Sequence, residues 1–155
     1  AWAAHETSPM PKFYFDIAQY EKFLEIGQPP FTPALSTIYG LDLALQQLAD
    51  EGIENVIARH AERAEQTRRG VQRIGLELFS DASVASDTVT AIKVPDGVDA
   101  KGIVTTMRDE YDVEISGGQG ALTGKIWRIG HMGWCEPEHI DECIDVLEKV
   151  LAETN

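Results

Sequence analysis

The chain has 155 residues, 43% of them hydrophobic and 25% charged. That is the balance of one ordinary globular domain, or of a small domain with part of another, and it argues against whole-chain disorder, a collagen-like repeat or a coiled coil. The 26 acidic residues outnumber the 13 basic ones and leave a net charge of -13, a field that repels phosphate backbones and anionic lipid and so counts against nucleic acid or a membrane surface as partner.

Ser8-Pro9-Met10-Pro11 reads as a stiff, extended entry. Apolar residues at Phe13, Ile17, Tyr20, Phe23 and Leu24 predict a helix over 13–26, closed by Gly27 and barred from continuing by Pro29 and Pro30. After a proline-stiffened loop, a second helix is expected over 34–50, with Leu41, Leu45 and Leu48 on one face and Gly52 at its end. A long amphipathic helix follows over 53–74, its stripe made by Ile53, Val56, Ile57, Ala61, Ala64, Val71 and Ile74.

The period then shortens. Strands are expected at 76–79, 88–94, 113–115 and 125–129, the second being β-branched and alternating. Asp99 is placed to N-cap a helix running to Tyr111. Residues 116–120 read as a flexible glycine loop. Pro137 suits the first position of a last helix, whose apolar stripe is Ile140, Cys143, Ile144, Leu147 and Leu151. The order is helical first, then β-β-α-β-β-α, which predicts an α+β layer with helices on one face of a largely antiparallel sheet. The boundary should fall near Gly52.

Cys135 and Cys143 are the chain's two cysteines. On one helix they would stand about 12 Å apart, too far to bridge, so a reducing compartment fits best. No run approaches the ~20 apolar residues that span a bilayer. The start at Ala1 lacks the pattern of a signal peptide and has no initiator methionine. The expectation is a cytoplasmic protein, with room for a longer chain ahead of Ala1.

Arg128 is the sharpest single residue. Strand alternation puts it on one face with Ile126, opposite Lys125, Trp127 and Ile129. A guanidinium among apolar neighbours calls for an anion, and its planar fork matches a carboxylate. On spacing alone, an arginine paired with this chain's own Asp or Glu, or standing at an edge in water, is the commoner case. Gly117, Gly118, Gly120 and Gly124 permit close approach of backbone to a ligand, or simply make a mobile connection; they fit no dinucleotide or phosphate-loop fingerprint. Thr32 offers a hydroxyl on a stiff loop, suited to phosphate or to nothing but a turn. His131, Cys135, His139 and Cys143 recur every four residues, as metal ligands can, but Cys143 falls on an apolar stripe and the first two precede the last helix. No metal site is expected.

Taken together, Lys12-Phe13-Tyr14-Phe15-Asp16, then Pro30-Phe31-Thr32-Pro33 through Leu41, then Ser116-Gly117-Gly118-Gln119-Gly120, then Gly124-Lys125-Ile126-Trp127-Arg128-Ile129-Gly130-His131-Met132-Gly133 resemble the C-terminal part of class V aminotransferases. The alanine–glyoxylate and serine–pyruvate aminotransferases are the most similar group. The resemblance runs in order over essentially the whole chain and implies a pyridoxal 5'-phosphate (PLP) enzyme of fold type I. Residues 1–51 would be a helical remainder of the large cofactor-binding domain and 52–155 the C-terminal small α+β domain.

In the resemblance, Arg128 takes the arginine that holds the substrate's α-carboxylate. Thr32 takes the threonine that reaches across a homodimer interface to the partner's cofactor phosphate. Gly117, Gly118 and Gln119 lie in the mobile edge of the active site. Some members carry a tyrosine three positions before that threonine; here Pro29 stands there. The lysine that anchors the cofactor, and the aspartate beside the cofactor's ring nitrogen, belong upstream of the matched segments. None of Lys12, Lys22, Lys93, Lys101, Lys125 and Lys149 matches that lysine, and Lys12 reads as a surface residue. The expected function is therefore that of the C-terminal portion of a transaminase acting on alanine or serine and a 2-oxo acid such as glyoxylate or pyruvate, this chain alone being inactive. Its partners would be a homodimer mate or an N-terminal half, and the small substrates. The alternative is a non-catalytic subunit or interaction module. A cysteine desulfurase would want a cysteine in 116–124, which has none.

Overall fold

The computed structural model describes residues 2–154, and they divide into two compact units that meet in sequence between Asp50 and Glu51. The first unit opens with a helix the sequence does not announce, α1 (Trp2–Thr7). The expected helix over 13–26 is broken. Phe13–Phe15 make a single tight turn, and α2 runs only over Ile17–Leu24. Asp16 causes the break: its backbone is extended (φ -77°, ψ 97°), and its carboxylate accepts the Ala18 N–H at 3.1 Å as an N-cap. Gly27, at φ +65°, turns the chain out of the helix where a side chain would be strained.

The next helix, α3, spans Leu35–Glu51. No described residue of the first unit is buried. Leu35, Ile38, Tyr39, Leu41, Leu43, Leu45 and Leu48 of α3 are all exposed. Lys12, expected at the surface, is half-buried and donates from its ammonium to the His5 carbonyl.

The second unit begins with α4 (Ile53–Arg73), which buries Val56, Ala64, Thr67 and Val71. The expected stripe is only partly used, because Ile53 and Ile57 are exposed. The predicted strand at 76–79 is reduced to one bridge, Leu78 to Ile92. Asp81 then caps a tight turn over Ala82–Val84 and takes the chain away before a ladder can form. The strand β1 (Val89–Lys93) follows, then α5 (Ala100–Tyr111), N-capped by Asp99 through the Lys101 N–H.

No strand forms at 113–115. The chain pairs one step later as β2 (Ser116–Gly117). Ile115 buries its side chain in the core, and the partner strand comes within bonding reach only at Ser116. That partner is β3 (Ile126–Gly130), the centre of an antiparallel three-stranded sheet in the order β1-β3-β2. The last helix, α6 (Pro137–Thr154), begins at its proline as expected.

Register sorts the faces of the sheet. Thr90 opposes Ile129 and Ile92 opposes Trp127, and these four are buried. Ile92, Trp127 and Ile129 share one core with Val71 of α4, Met107 of α5 and Leu147 of α6, so the helices cover one face. Each fully buried aliphatic side chain contributes about 1.5–3 kcal/mol. Trp127 is wholly buried, and its indole N–H donates to the Ala100 carbonyl at 2.9 Å, which also fixes the first turn of α5. The other face carries Ala91 opposite Arg128.

Candidate functional site

Arg128 stands in the middle of the central strand, half-buried between Trp127 and Ile129. Among the described residues no carboxylate meets it. Its one hydrogen bond runs from Nε to the Gly117 carbonyl at 3.0 Å, and its two terminal nitrogens, Nη1 and Nη2, make none. The open alternative of a structural ion pair is thereby removed for this unit. The geometry leaves a charged, planar, two-pronged donor unspent.

The glycine segment is more ordered than a flexible loop. Ser116 and Gly117 pair with Arg128 and Trp127 as β2. Gly118 donates its N–H to the Ile126 carbonyl at 2.9 Å, and Gly120–Leu122 close a tight turn in which Leu122 N–H meets the Gln119 carbonyl at 3.0 Å. The close backbone approach expected here is to the chain itself: a Cβ on Gly118 would stand 2.0 Å from the Leu122 carbonyl oxygen and 2.9 Å from Ile126 Cγ1. Gln119 is exposed. Beside this segment lies an open groove of about 420 Å³, walled by Val98, Val104, Gly117, Gly118, Gly124 and Ile126.

Thr32 lies in the other unit, on the loop before α3, and is exposed. Its hydroxyl makes no hydrogen bond among the described residues. The loop is held by its neighbour Phe31, whose ring stacks on Tyr14 (centroids 4.9 Å apart) and touches Phe13 and Tyr20. A free hydroxyl on an anchored loop fits a phosphate oxygen.

The residues recurring every four positions do not converge. Among the described residues no group of three or more His, Cys, Asp or Glu side chains is placed to hold a metal. His131 is buried with Nε2 2.9 Å from Thr90 Oγ1. Cys143 is in the core, and burial pushes its thiol up to about 11. His139 Nδ1 accepts the Glu136 N–H at 3.2 Å, capping α6. Both cysteines are free thiols.

Sequence reasoning missed a clasp between α4 and the segment after β3. Arg59 grips both carboxylate oxygens of Glu51 at 2.6 and 2.9 Å and donates a third bond to the Gly133 carbonyl at 2.6 Å. Its guanidinium lies over the Trp134 ring. The Glu51 carboxyl is held below its usual range by the hydrogen bonds from Arg59. His60 accepts the Gly133 N–H on Nε2 at 3.2 Å, while its Nδ1 faces the Val56 carbonyl at 2.7 Å. The sequence signal is only the mixture of Arg, Glu and Gln on the polar side of the amphipathic helix, which reads as a solvated face.

No family model matches the chain. Similarity to individual proteins is extensive. The chain is 37% identical over 153 residues to the small subunit of a soluble hydrogenase from Synechococcus sp. (strain PCC 6716), spanning 99% of this chain and 40% of that one. It is 43% identical over 137 residues to pyridoxamine–pyruvate transaminase from Mesorhizobium japonicum, spanning 86% and 35%. It is 36% identical over 153 residues to serine–glyoxylate aminotransferase from Arabidopsis thaliana, spanning 97% and 38%. Among solved structures, alanine–glyoxylate aminotransferase from Nostoc sp. superposes with a TM-score of 0.87 at 31% identity, over 94% of this chain and 40% of that one.

The chain belongs to the class V aminotransferases, as a C-terminal part. The chain spans about 40% of the length of the first curated relatives it matches. Its second unit is the small α+β layer expected for such a C-terminal domain. No helix among its described residues is long and apolar enough to cross a membrane.

Proposed function

We propose that the chain is the C-terminal part of a PLP-dependent aminotransferase that moves an amino group between alanine or serine and a 2-oxo acid such as glyoxylate or pyruvate. The observation that carries this is Arg128: a half-buried strand guanidinium with both terminal nitrogens unspent and no carboxylate partner among the described residues. The donor set fits the outer parts of the cofactor–substrate pair, an arginine for the carboxylate and a free threonine hydroxyl for the phosphate. PLP, when bound, supplies the electron sink for loss of the α-proton.

In this reading Arg128 binds and orients. Both substrates of the two half-reactions carry a carboxylate beside the reacting carbon, so one fork serves both. Thr32 donates its hydroxyl to the cofactor phosphate of a homodimer mate. Gly117, Gly118 and Gln119 form the edge of the site. Residues 1–51 belong to the large domain and 52–155 to the small one. The base and anchor lysine comes from the remainder of the protein, which acts in the cytoplasm, where free Cys135 and Cys143 are at home. The exposed apolar residues of α3 also support the reading, because a self-sufficient interaction module would bury them.

The test is Arg128→Ala in the intact enzyme. The expected result is a fall in kcat/KM for alanine or serine of about 10²-fold, the size of a lost charge-assisted contact, with cofactor content unchanged. Undiminished turnover would sink the assignment. In parallel, Thr32→Val is expected to weaken PLP retention several-fold while leaving the carboxylate preference alone.

A further inference from the structure

We infer that Gly118 is a positioning residue for Arg128: the turn it closes presents the Gly117 carbonyl to Arg128 Nε, so that the substrate carboxylate is met end-on by Nη1 and Nη2. The inference rests on the reading of Arg128 as the carboxylate-binding residue.

A guanidinium can offer a carboxylate either of two edges: Nε with one terminal nitrogen, or the two terminal nitrogens together. In this chain the first edge is already spent. Arg128 Nε donates to the Gly117 carbonyl at 3.0 Å, while Nη1 and Nη2 donate to nothing among the described residues. The choice of edge is made by the backbone of the neighbouring segment.

That carbonyl sits where it does because β2 is very short. Ser116 and Gly117 pair with Arg128 and Trp127, and the Gly118 N–H adds one more bond to the Ile126 carbonyl at 2.9 Å. The chain then folds straight back, with the Leu122 carbonyl packed against the Gly118 Cα. A Cβ there would stand 2.0 Å from that oxygen, a contact between two backbone segments with no flexible side-chain end to yield. Any residue but glycine at 118 must push the turn off β2, and the Gly117 carbonyl goes with it. The segment thus acts on the substrate through its hold on the arginine, with no need to touch the ligand.

The experiment uses the intact holoenzyme and two readouts. The first is affinity for propanoate, a carboxylate with no amino group to react, by calorimetry, alongside KM and kcat for alanine. Gly118→Ala is expected to weaken propanoate at least tenfold and to raise KM far more than it lowers kcat, with cofactor content kept. Arg128→Ala is the reference. If Arg128→Ala leaves propanoate binding unchanged, the functional reading itself falls. If Arg128→Ala abolishes binding but Gly118→Ala does not weaken it, only the positioning role is overturned.

The second readout needs no variant, and so survives a Gly118→Ala protein that fails to fold. In the ligand-free wild type, the Arg128 Nε–H should exchange with solvent much more slowly than that of exposed Arg69, followed by ¹⁵N-detected NMR, and should stay protected when propanoate binds. Exchange as fast as Arg69, or a tether lost on binding, overturns the end-on geometry.

Discussion

Thr90 Oγ1, on β1, and His131 Nε2, one residue past the end of β3, lie 2.9 Å apart with both side chains buried. The other ring nitrogen, His131 Nδ1, is buried without a hydrogen-bond partner among the described residues. Burial lowers the pKa of this histidine below the ordinary value of 6.5, and the nearby Arg68 guanidinium lowers it further. The ring is therefore carried neutral in the folded protein.

The sign of the pH dependence follows. Below about pH 6.5 the unfolded chain takes up a proton on His131 that the folded chain resists, so stability is full above that value and is lost as pH falls through the lowered folded-state pKa. One proton limits the slope to ~1.4 kcal/mol per pH unit. His131→Gln keeps an amide donor for Thr90 and cannot titrate. Between pH 7.5 and 5.5, as a chosen scan of about two units, the wild-type melting temperature should fall more steeply than that of the variant. Parallel curves would contradict the neutral, buried ring.

Gly70 marks a close approach of α4 to α6. A Cβ there would stand 2.8 Å from Cγ1 of Ile144, whose side chain is 1% exposed and has nowhere to retreat. Gly→Ala in a helix ordinarily gains up to ~1 kcal/mol. Here overpacking should outweigh that gain at about 1–3 kcal/mol and make Gly70→Ala destabilising. Ile144→Ala, which removes Cγ1 itself, should relieve the clash, so that the double variant is more stable than the sum of the singles predicts. A stabilised Gly70→Ala protein in chemical denaturation would refute the packing.

The two cysteines should separate by reactivity. The Cys143 thiol is buried and pushed up to about 11, so almost no thiolate is present at pH 8. Cys135 is half-buried, and burial raises its thiol as well. A maleimide or disulfide reagent followed by peptide mass mapping should label Cys135 slowly and Cys143 only after unfolding. Equal native rates would place Cys143 outside the core.

Removing the Arg59 guanidinium tests the clasp on the segment after β3. Arg59→Ala cuts three hydrogen bonds, to Glu51 and Gly133, and uncovers the ring of Trp134. Trp134 is already 69% exposed, so its emission should shift further to the red and its quenching by acrylamide should rise. An unchanged Trp134 signal, isolated in a background lacking the other tryptophans, would mean the cation–π contact does not form.

Much of this protein was legible in its sequence wherever local rules carry the information. Proline and acidic residues at the start of α6, the Asp99 cap of α5 and the apolar stripes of α4 and α6 are properties of a few neighbouring residues, and these elements stand where periodicity put them. The family resemblance came the same way, from linear motifs. Local rules failed where a long-range partner decides. Leu76–Phe79 and Val113–Ile115 have strand composition, but the first makes a single bridge to β1 and the second joins no strand. Ser116–Gly117 has none, yet pairs because β3 passes beside it.

The division is sharpest at the candidate site. Residue chemistry marked Arg128 and Thr32 as candidates without deciding between a ligand and an ordinary structural or solvent role, and the family resemblance supplied the roles. Which edge of the guanidinium is free, what holds it, and why Gly118 carries no side chain were decided by contacts between residues ten or more positions apart or folded back across a turn. Hydrogen-bond partners and backbone clearances are properties of a closed three-dimensional arrangement, and no periodicity encodes them.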